Sequence, residues 1–508
     1  MKRFSILIII AAALSAASCQ KSFDVVDSGY LSGSQATDMV TNDPEFLNTY
    51  IQGLYTYMVE FGNYNYSGHD NFGFLSCIMI TDFMGQDIVF AGTENWGAFD
   101  YQFDYGMADY IRPYQMWANY YTLINNANEI INFFQAGQDP TDVNSRGYLG
   151  QAYAMRAMCY TYLVQLFQDP LTEDSTPENL VLNLDGLTVP ISYAERDGVD
   201  EATKLDHSGR NTLSTVMSHI EYNIEQSLKL LDGYTRKAKN EIDLSVAQGI
   251  AARYYLLTQQ WEKAAEVAKA ARQGYTIMDQ TRLHEGFMEI NDATVMWGFN
   301  HTTETQTTYA SFSSHMSNEC EGYSGLAQPV KCIDKNLYDQ IPSSDYRKDL
   351  FNGPDGDPNA ETRGGTWAYA ARKFGFMDQW LQDYIYMRSE EMYLIEAEAY
   401  ARQGLTAEAT TVMTELMAQR DPQWDGGVSV EDILLQRRIE LWGEGFQFYD
   451  LRRNAKPCIR VYDDSNHATW AYFDVPAHHS RWMFQIPTSE IDQNPELAKD
   501  PQNPLEEL

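Results

Sequence analysis

The chain alternates between stretches with apolar residues at helical spacing and stretches with none. Phe46, Leu47, Ile51, Leu54 and Tyr55 fall on one side of a 3.6-residue period, which predicts a helix over 44–60. Trp117, Tyr120, Tyr121, Ile124, Ala127 and Ile131 predict another over about 113–135. A third covers about 145–168 and stops at Asp169-Pro170, because proline lacks an amide and crowds the turn before it. Helices are predicted again over about 211–231, 244–274, 387–404, 406–420 and 429–453. The stretches between them read as loops: 62–106 is rich in Gly, Asn and aromatics, and 172–209 is punctuated by Pro and Gly. The section 280–384 holds short strand-like pieces such as Thr294-Val295-Met296-Trp297, and the Pro-rich tail from 457 to 508 reads as mostly extended.

Two helical segments share a finer spacing. Ala252 is followed by Tyr255, then by Ala264 and Ala271; Ala397 is followed by Tyr400, then by Ala409. In both, an aromatic comes three residues after a small residue, and the next small residue comes twelve after the first. Ala157 and Tyr160 repeat the first half. Small residues let paired helices approach, and the aromatic fills the gap beside them. The pattern resembles the tetratricopeptide repeat, a helix hairpin of about 34 residues. The fold class expected is therefore mainly α: a divergent tetratricopeptide-like scaffold of helix pairs with an inserted loop-rich, weakly β lobe.

The N-terminus adds a compartment. Lys2 and Arg3 precede an apolar run from Ile6 to Leu14, followed by Ser15-Ala16-Ala17-Ser18 and Cys19. The run has the length of a signal-peptide core and is short of the ~20 residues a spanning helix needs. The small residues before Cys19 read as a lipoprotein cleavage site, although Ala16 stands where a large aliphatic residue is usual. Residues 1–18 are thus expected to be a signal peptide, 19–43 a tether acylated at Cys19, and the mature protein to be held in a membrane by lipid alone. A formal charge of −35 argues against nucleic acid or any other polyanion as a broad-surface partner. The six cysteines include Cys19 and show no C-x-x-C pair; Cys320 and Cys332 are the near neighbours, and the sequence leaves open whether they join.

Three segments together resemble the SusD/RagB family. The first runs from Arg156-Ala157 through Tyr160 and Leu163 to Phe167-Gln168-Asp169-Pro170, with Gln168 where the family has Gly. The second is Arg388 to Tyr400, containing Glu390, Glu396 and Glu398. The third is Arg437-Arg438-Ile439-Glu440-Leu441 through Glu444-Gly445 to Asp450-Leu451-Arg452-Arg453, with Gln447 where a basic residue is common. The tail from Phe484 to Pro495 is similar to the family's closing strand and turn. Residues 44–508 are then expected to form a single unit: helical scaffold at about 44–61, 111–275 and 386–455, ligand lobe at about 62–110 and 276–385, and tail at 456–508. The resemblance implies an outer-membrane lipoprotein, surface-exposed, that captures oligosaccharide and delivers it to a SusC-like TonB-dependent transporter without catalysis. The alternatives are a peptide- or protein-capturing member, a secreted glycosidase, and a scaffold that binds only protein.

Residue chemistry favours binding over catalysis. Leu434, Arg437, Leu441, Glu444, Phe448 and Leu451 fall on one face of the helix predicted over 429–453, so its charges must be paired; Arg437 with Glu440 or Glu444 is the pairing expected along the helix. These carboxylates and Glu390, Glu396 and Glu398 read as helix locks. Gly322-Tyr323-Ser324-Gly325 lacks the last glycine of a nucleophile elbow, and His284-Glu285 lacks the second histidine of a zinc motif. His478-His479 has no evident third ligand. Asp355-Gly356-Asp357-Pro358-Asn359 begins like a calcium loop, but Ala360 replaces the turn glycine and Thr366 the bidentate glutamate, so it reads as a solvated turn and no cofactor is expected. A sugar ring offers an apolar face and a rim of hydroxyls, which suits flat aromatics beside amides and carboxylates. Among the 34 Tyr and 10 Trp, those in polar loops are the candidates: Tyr64 and Tyr66, Asn95 and Trp96, Tyr309, Tyr323 and Trp367, with Trp96 foremost.

Overall fold

A computed structural model describes residues 45–508. The predicted signal peptide, the lipidation of Cys19 and the tether to residue 43 lie outside the described residues. The longer helices are α1 (Phe46–Tyr57), α2 (Phe74–Phe83), α3 (Ile111–Asn132), α4 (Val143–Phe167), α5 (Leu213–Leu231) and α6 (Leu244–Leu257). They continue with α7 (Trp261–Ala271), α8 (Ser389–Arg402), α9 (Thr406–Met417), α10 (Val430–Glu440) and α11 (Gln447–Arg453). Four short strands make two antiparallel pairs, β1 (Ile88–Ala91) with β3 (Val330–Ile333), and β2 (Val295–Phe299) with β4 (Tyr384–Arg388). The chain is mainly helical, as its periodicity predicts.

The helices pack serially. α4 lies between α3 and α5, α6 pairs with α7, α7 packs on α8, and α8 meets both α9 and α10. α4 is apolar almost all round, and nearly all of its residues are buried. The predicted small interface residues Ala252, Ala264, Ala271, Ala397 and Ala409 are all fully buried. Arg156, also fully buried, fixes α4 to its neighbours: its guanidinium donates to Asn223 on α5, to Asn128 on α3 (both 2.8 Å) and to Asp197 at 2.9 Å.

The structure departs from the predicted elements in five places, the smallest being the helix Glu201–Asp206 within 172–209, expected to be a loop. The helix expected over 244–274 is a hairpin, α6 and α7, turning where Gln259 adopts φ 59°. Residues 62–106, expected to be irregular, contain α2 and β1; every α2 residue is buried, so that helix has no polar face and no amphipathic signal. The helix expected over 429–453 breaks into α10 and α11, with Gly443 at φ 75° and Gly445 at φ 86°. A Cβ on Gly445 would lie 1.8 Å from Ile78, so the left-handed turn and the close approach to α2 both require glycine. The expected Arg437 pairing fails with it: Arg437 binds Asp450 at 3.0 Å and lies 3.9 Å from Glu398. In the tail, expected to be mostly extended, the helix Thr488–Gln493 and several single turns interrupt the loops.

Glu440 and Glu444 instead enter a buried charge cluster. The Glu440 carboxylate accepts from Arg388 at 2.7 Å, Arg420 at 2.8 and 3.0 Å, and Arg347 at 3.1 Å. Glu444 takes Arg388 at 2.8 Å and Lys373. Glu390 takes Arg388 at 3.1 Å and Arg420 at 3.2 Å, and Asp345 takes Arg347 at 2.6 Å. Burial alone would raise the Glu440 carboxyl, but Arg420, Arg388 and Arg347 hold it well below the usual carboxylate range. Glu396 binds Arg272 at 2.7 Å and Glu398 binds Arg453 at 2.6 Å. The carboxylates of the family-like segments therefore lock the scaffold.

Candidate functional site

Three loops meet to form an open aromatic face. The first, residues 62–71, is shaped by left-handed residues Gly62, Tyr64 and Asn65 and by Asn71, whose amide donates to the Asn63 and Tyr66 carbonyls at 3.2 and 2.6 Å. Tyr64 donates its hydroxyl to Asn71 at 2.7 Å and Tyr66 to Asp70 at 2.6 Å. Both predicted tyrosines are thus used to brace the loop, and the residue it presents is His69.

The second loop carries Trp96. The Asn95 side chain accepts the Trp96 amide at 2.9 Å and donates to the Gln328 carbonyl at 3.1 Å, while Gln328 accepts the Thr93 amide at 2.9 Å. This ties Trp96 to the segment after Tyr323. The next residue, Gly97, has φ 83°, and a Cβ there would meet the Phe83 ring at 2.7 Å.

The third region brings Tyr309 and Tyr323. Tyr323 shares a 2.7 Å hydrogen bond between its hydroxyl and His69 Nδ1. His69 stacks near-parallel with Trp96 (centroids 5.7 Å apart, 25°) and with Tyr309 (6.3 Å, 11°). Tyr323 lies 6.2 Å from Trp96 and 5.7 Å from Tyr309, and Trp380 lies 6.1 Å from Tyr309. Trp96 and Tyr323 are half-buried, while Tyr309 is 48 % exposed. Behind them His315 stacks on Tyr323 at 5.1 Å and donates from Nε2 to the His69 carbonyl at 2.9 Å. Burial, with Lys331 nearby, pushes the His315 imidazole down to about 4. The carbonyl can only accept, so neutral His315 carries its proton on Nε2.

The structure therefore gathers Trp96, Asn95, Tyr309 and Tyr323, uses Tyr64 and Tyr66 as loop braces, and sends Trp367 elsewhere. Trp367 packs on the face of the β1–β3 pair formed by Val89, Val330 and Cys332. Two members of the face, His69 and Trp380, are additional to the sequence candidates. Trp380 carried a signal: Asp378-Gln379-Trp380 repeats the acid–amide–tryptophan order of Glu94-Asn95-Trp96.

Other candidate chemistry resolves into structure. Ser324 is buried and donates to Asn318 at 2.6 Å. His478 pairs with Asp169 at 2.7 Å, which raises the imidazole. Asp357 of the calcium-like loop lies 3.8 Å from Arg372. Cys320 and Cys332 are both buried free thiols. Among the described residues no group of three or more His, Cys, Asp or Glu is arranged to hold a metal, and no helix is long and apolar enough to cross a membrane.

A helix-pair scaffold bearing an open aromatic face is a binding architecture, and comparison with known proteins gives it a family. A model described as "SusD family" matches residues 377–505, and one described as "Starch-binding associating with outer membrane" matches residues 37–256. The chain belongs to the SusD/RagB family. Among solved structures, a SusD-like carbohydrate-binding protein from Bacteroides vulgatus superposes with TM-score 0.73 at 24 % identity, covering 89 % of this chain and 97 % of that one. Surface glycan-binding protein A from Bacteroides thetaiotaomicron superposes with TM-score 0.64 at 14 % identity over 91 % and 99 % of the two chains. A laminarin-binding SusD-like protein does so with TM-score 0.65 at 18 % identity over 90 % and 98 %. At these identities the likeness is one of fold. The chain matches no curated protein.

Proposed function

We propose that the protein captures oligosaccharide at the bacterial surface and delivers it, unmodified, to a TonB-dependent outer-membrane transporter. The observation that carries this reading is the aromatic face of His69, Trp96, Tyr309, Tyr323 and Trp380. The rings are held by mutual contacts and by the His69–Tyr323 hydrogen bond, and their exposed apolar surface suits the C–H face of a sugar. Exposed Glu94, Asp378 and Gln379 flank the two tryptophans in sequence and supply hydroxyl partners at the rim. Relatives of the same fold are described as carbohydrate-, glycan- and laminarin-binding, which supports a glycan over a peptide. The chain is anchored through acylated Cys19, and capture needs no cofactor and no catalytic pair. The test is a glycan-panel binding assay on wild type and Trp96→Ala. Binding to one glycan class, lost in the variant with folding intact, supports the reading. Silence of wild type across the panel overturns it.

A further inference from the structure

A second aromatic group begins three residues beyond Trp96 and includes two exposed rings. In the short helix Ala98–Tyr101, residues Ala98, Asp100 and Tyr101 are buried, while Phe99 is 54 % exposed. The Phe99 ring lies 5.3 Å from that of Tyr105, which lies 5.2 Å from that of Tyr110, itself 38 % exposed. The three rings form one continuous patch. Contiguous exposed apolar surface of this kind marks a binding region more often than a single exposed ring does.

The patch and the first face are held by one buried guanidinium. Arg112 donates to Asp100 from Nε and Nη2 at 2.7 Å each, and to Asp70 from Nη2 at 2.6 Å. Its planar head also lies 5.4 Å from the centre of the Tyr105 ring. Asp70 follows His69 of the first face; Asp100 follows Phe99 of the second. Trp96 and Phe99 are three residues apart, so their Cα atoms lie within about 11 Å of each other. Arg112 thus fixes the two aromatic groups in one rigid unit before any ligand arrives, which spares the cost of ordering them on binding.

We propose that Phe99, Tyr105 and Tyr110 form a second sugar platform continuous with the first, so that the protein selects a glycan chain long enough to reach both. This rests on the reading of the first face as a sugar site. The ligand is an uncharged glycan: exposed Asp104 and Asp109 stand among these rings in sequence, and a chain of net charge −35 repels uronic or sulfated polymers. The experiment measures binding of amylopectin, laminarin, xylan and galactomannan, and of the trisaccharide of each, to wild type, Trp96→Ala and the double variant Phe99→Ala/Tyr110→Ala. For the polysaccharide that wild type binds, the double variant is expected to lose about tenfold in affinity while its trisaccharide binding is unchanged. Trp96→Ala is expected to lose both. Wild-type affinity of the double variant for the polysaccharide overturns the second platform and leaves the first standing, with the patch then free for a protein partner. Loss of the trisaccharide as well shows one undivided site and also overturns it. Unchanged binding by Trp96→Ala overturns the first platform, and no binding by wild type overturns both. Phe99→Leu, which keeps the apolar area and loses the flat ring, guards against a folding defect and is expected to show part of the same selective loss.

Discussion

The Glu440 cluster and the Trp96 face are both built from residues scattered along the chain, yet they have opposite designs. At Glu440, Arg347, Arg388, Arg420 and Lys373 balance Asp345, Glu390, Glu440 and Glu444, and all but Glu444 are almost wholly inaccessible. At Trp96 a backbone hydrogen bond and ring contacts hold a half-buried indole, and Tyr309 beyond His69 is exposed. The difference separates charge that holds a fold from the surface proposed to take a ligand. A buried carboxylate saturated by three arginines has no free lone pair for acid–base chemistry. A half-buried indole on a braced loop keeps part of its apolar surface at the exterior.

The comparison breaks first if Glu440 is dispensable. Glu440→Ala leaves three buried guanidinium groups without their shared partner, and the expected loss is about 3–5 kcal/mol of stability. Urea unfolding measures it, and a wild-type midpoint would show the cluster to be passive.

Next comes a buried acid on α2. Asp82 on α2 accepts the Gly445 amide at 3.1 Å and the Gln447 amide at 3.3 Å, capping the break between α10 and α11. Burial pushes its carboxyl up to about 7 from 3.8. Between those values the folded chain keeps a proton that the unfolded chain has released, so this group's stability contribution falls as pH rises from about 4 to 7 and is level above. The fall is roughly 4 kcal/mol over the window. Asp82→Asn is expected to flatten it, as read by unfolding at pH 5 and pH 8; equal slopes in both proteins would contradict the assignment.

At the aromatic face the effects move from stability to binding. Trp96→Ala is expected to cost about 2 kcal/mol of glycan affinity, some 30-fold, with little change in unfolding midpoint. Smallest is Tyr66→Phe, which removes one brace from Asp70: about 1 kcal/mol of stability and near-normal binding. A large binding loss there would move Tyr66 from brace to ligand contact.

How much of this was legible in the sequence follows from the same physics. Helices with one apolar side announce themselves, so α1, α3, α5 and α9 were readable from period alone. α2 was not, because burial on all sides removes the period. Nor was the break in 429–453, since Gly443 and Gly445 show their purpose only beside Ile78 and Phe374. Trp96 was readable because a tryptophan in a polar, Gly-rich loop has few core partners. Tyr64 and Tyr66 carry the same local signal, but Asn71 and Asp70 take their hydroxyls, and only the folded loop reveals that. Trp367 was indistinguishable from Trp96 by composition; the strand register that sets it on the Val89–Val330 face decides the matter.

Whether the face around Trp96 holds a glycan is decided by calorimetric titration of wild type and Trp96→Ala with the panel's best-bound oligosaccharide. Wild type is expected to bind saturably, and the variant some 30-fold more weakly at an unchanged melting temperature. Equal affinity in the two proteins would contradict a glycan site there.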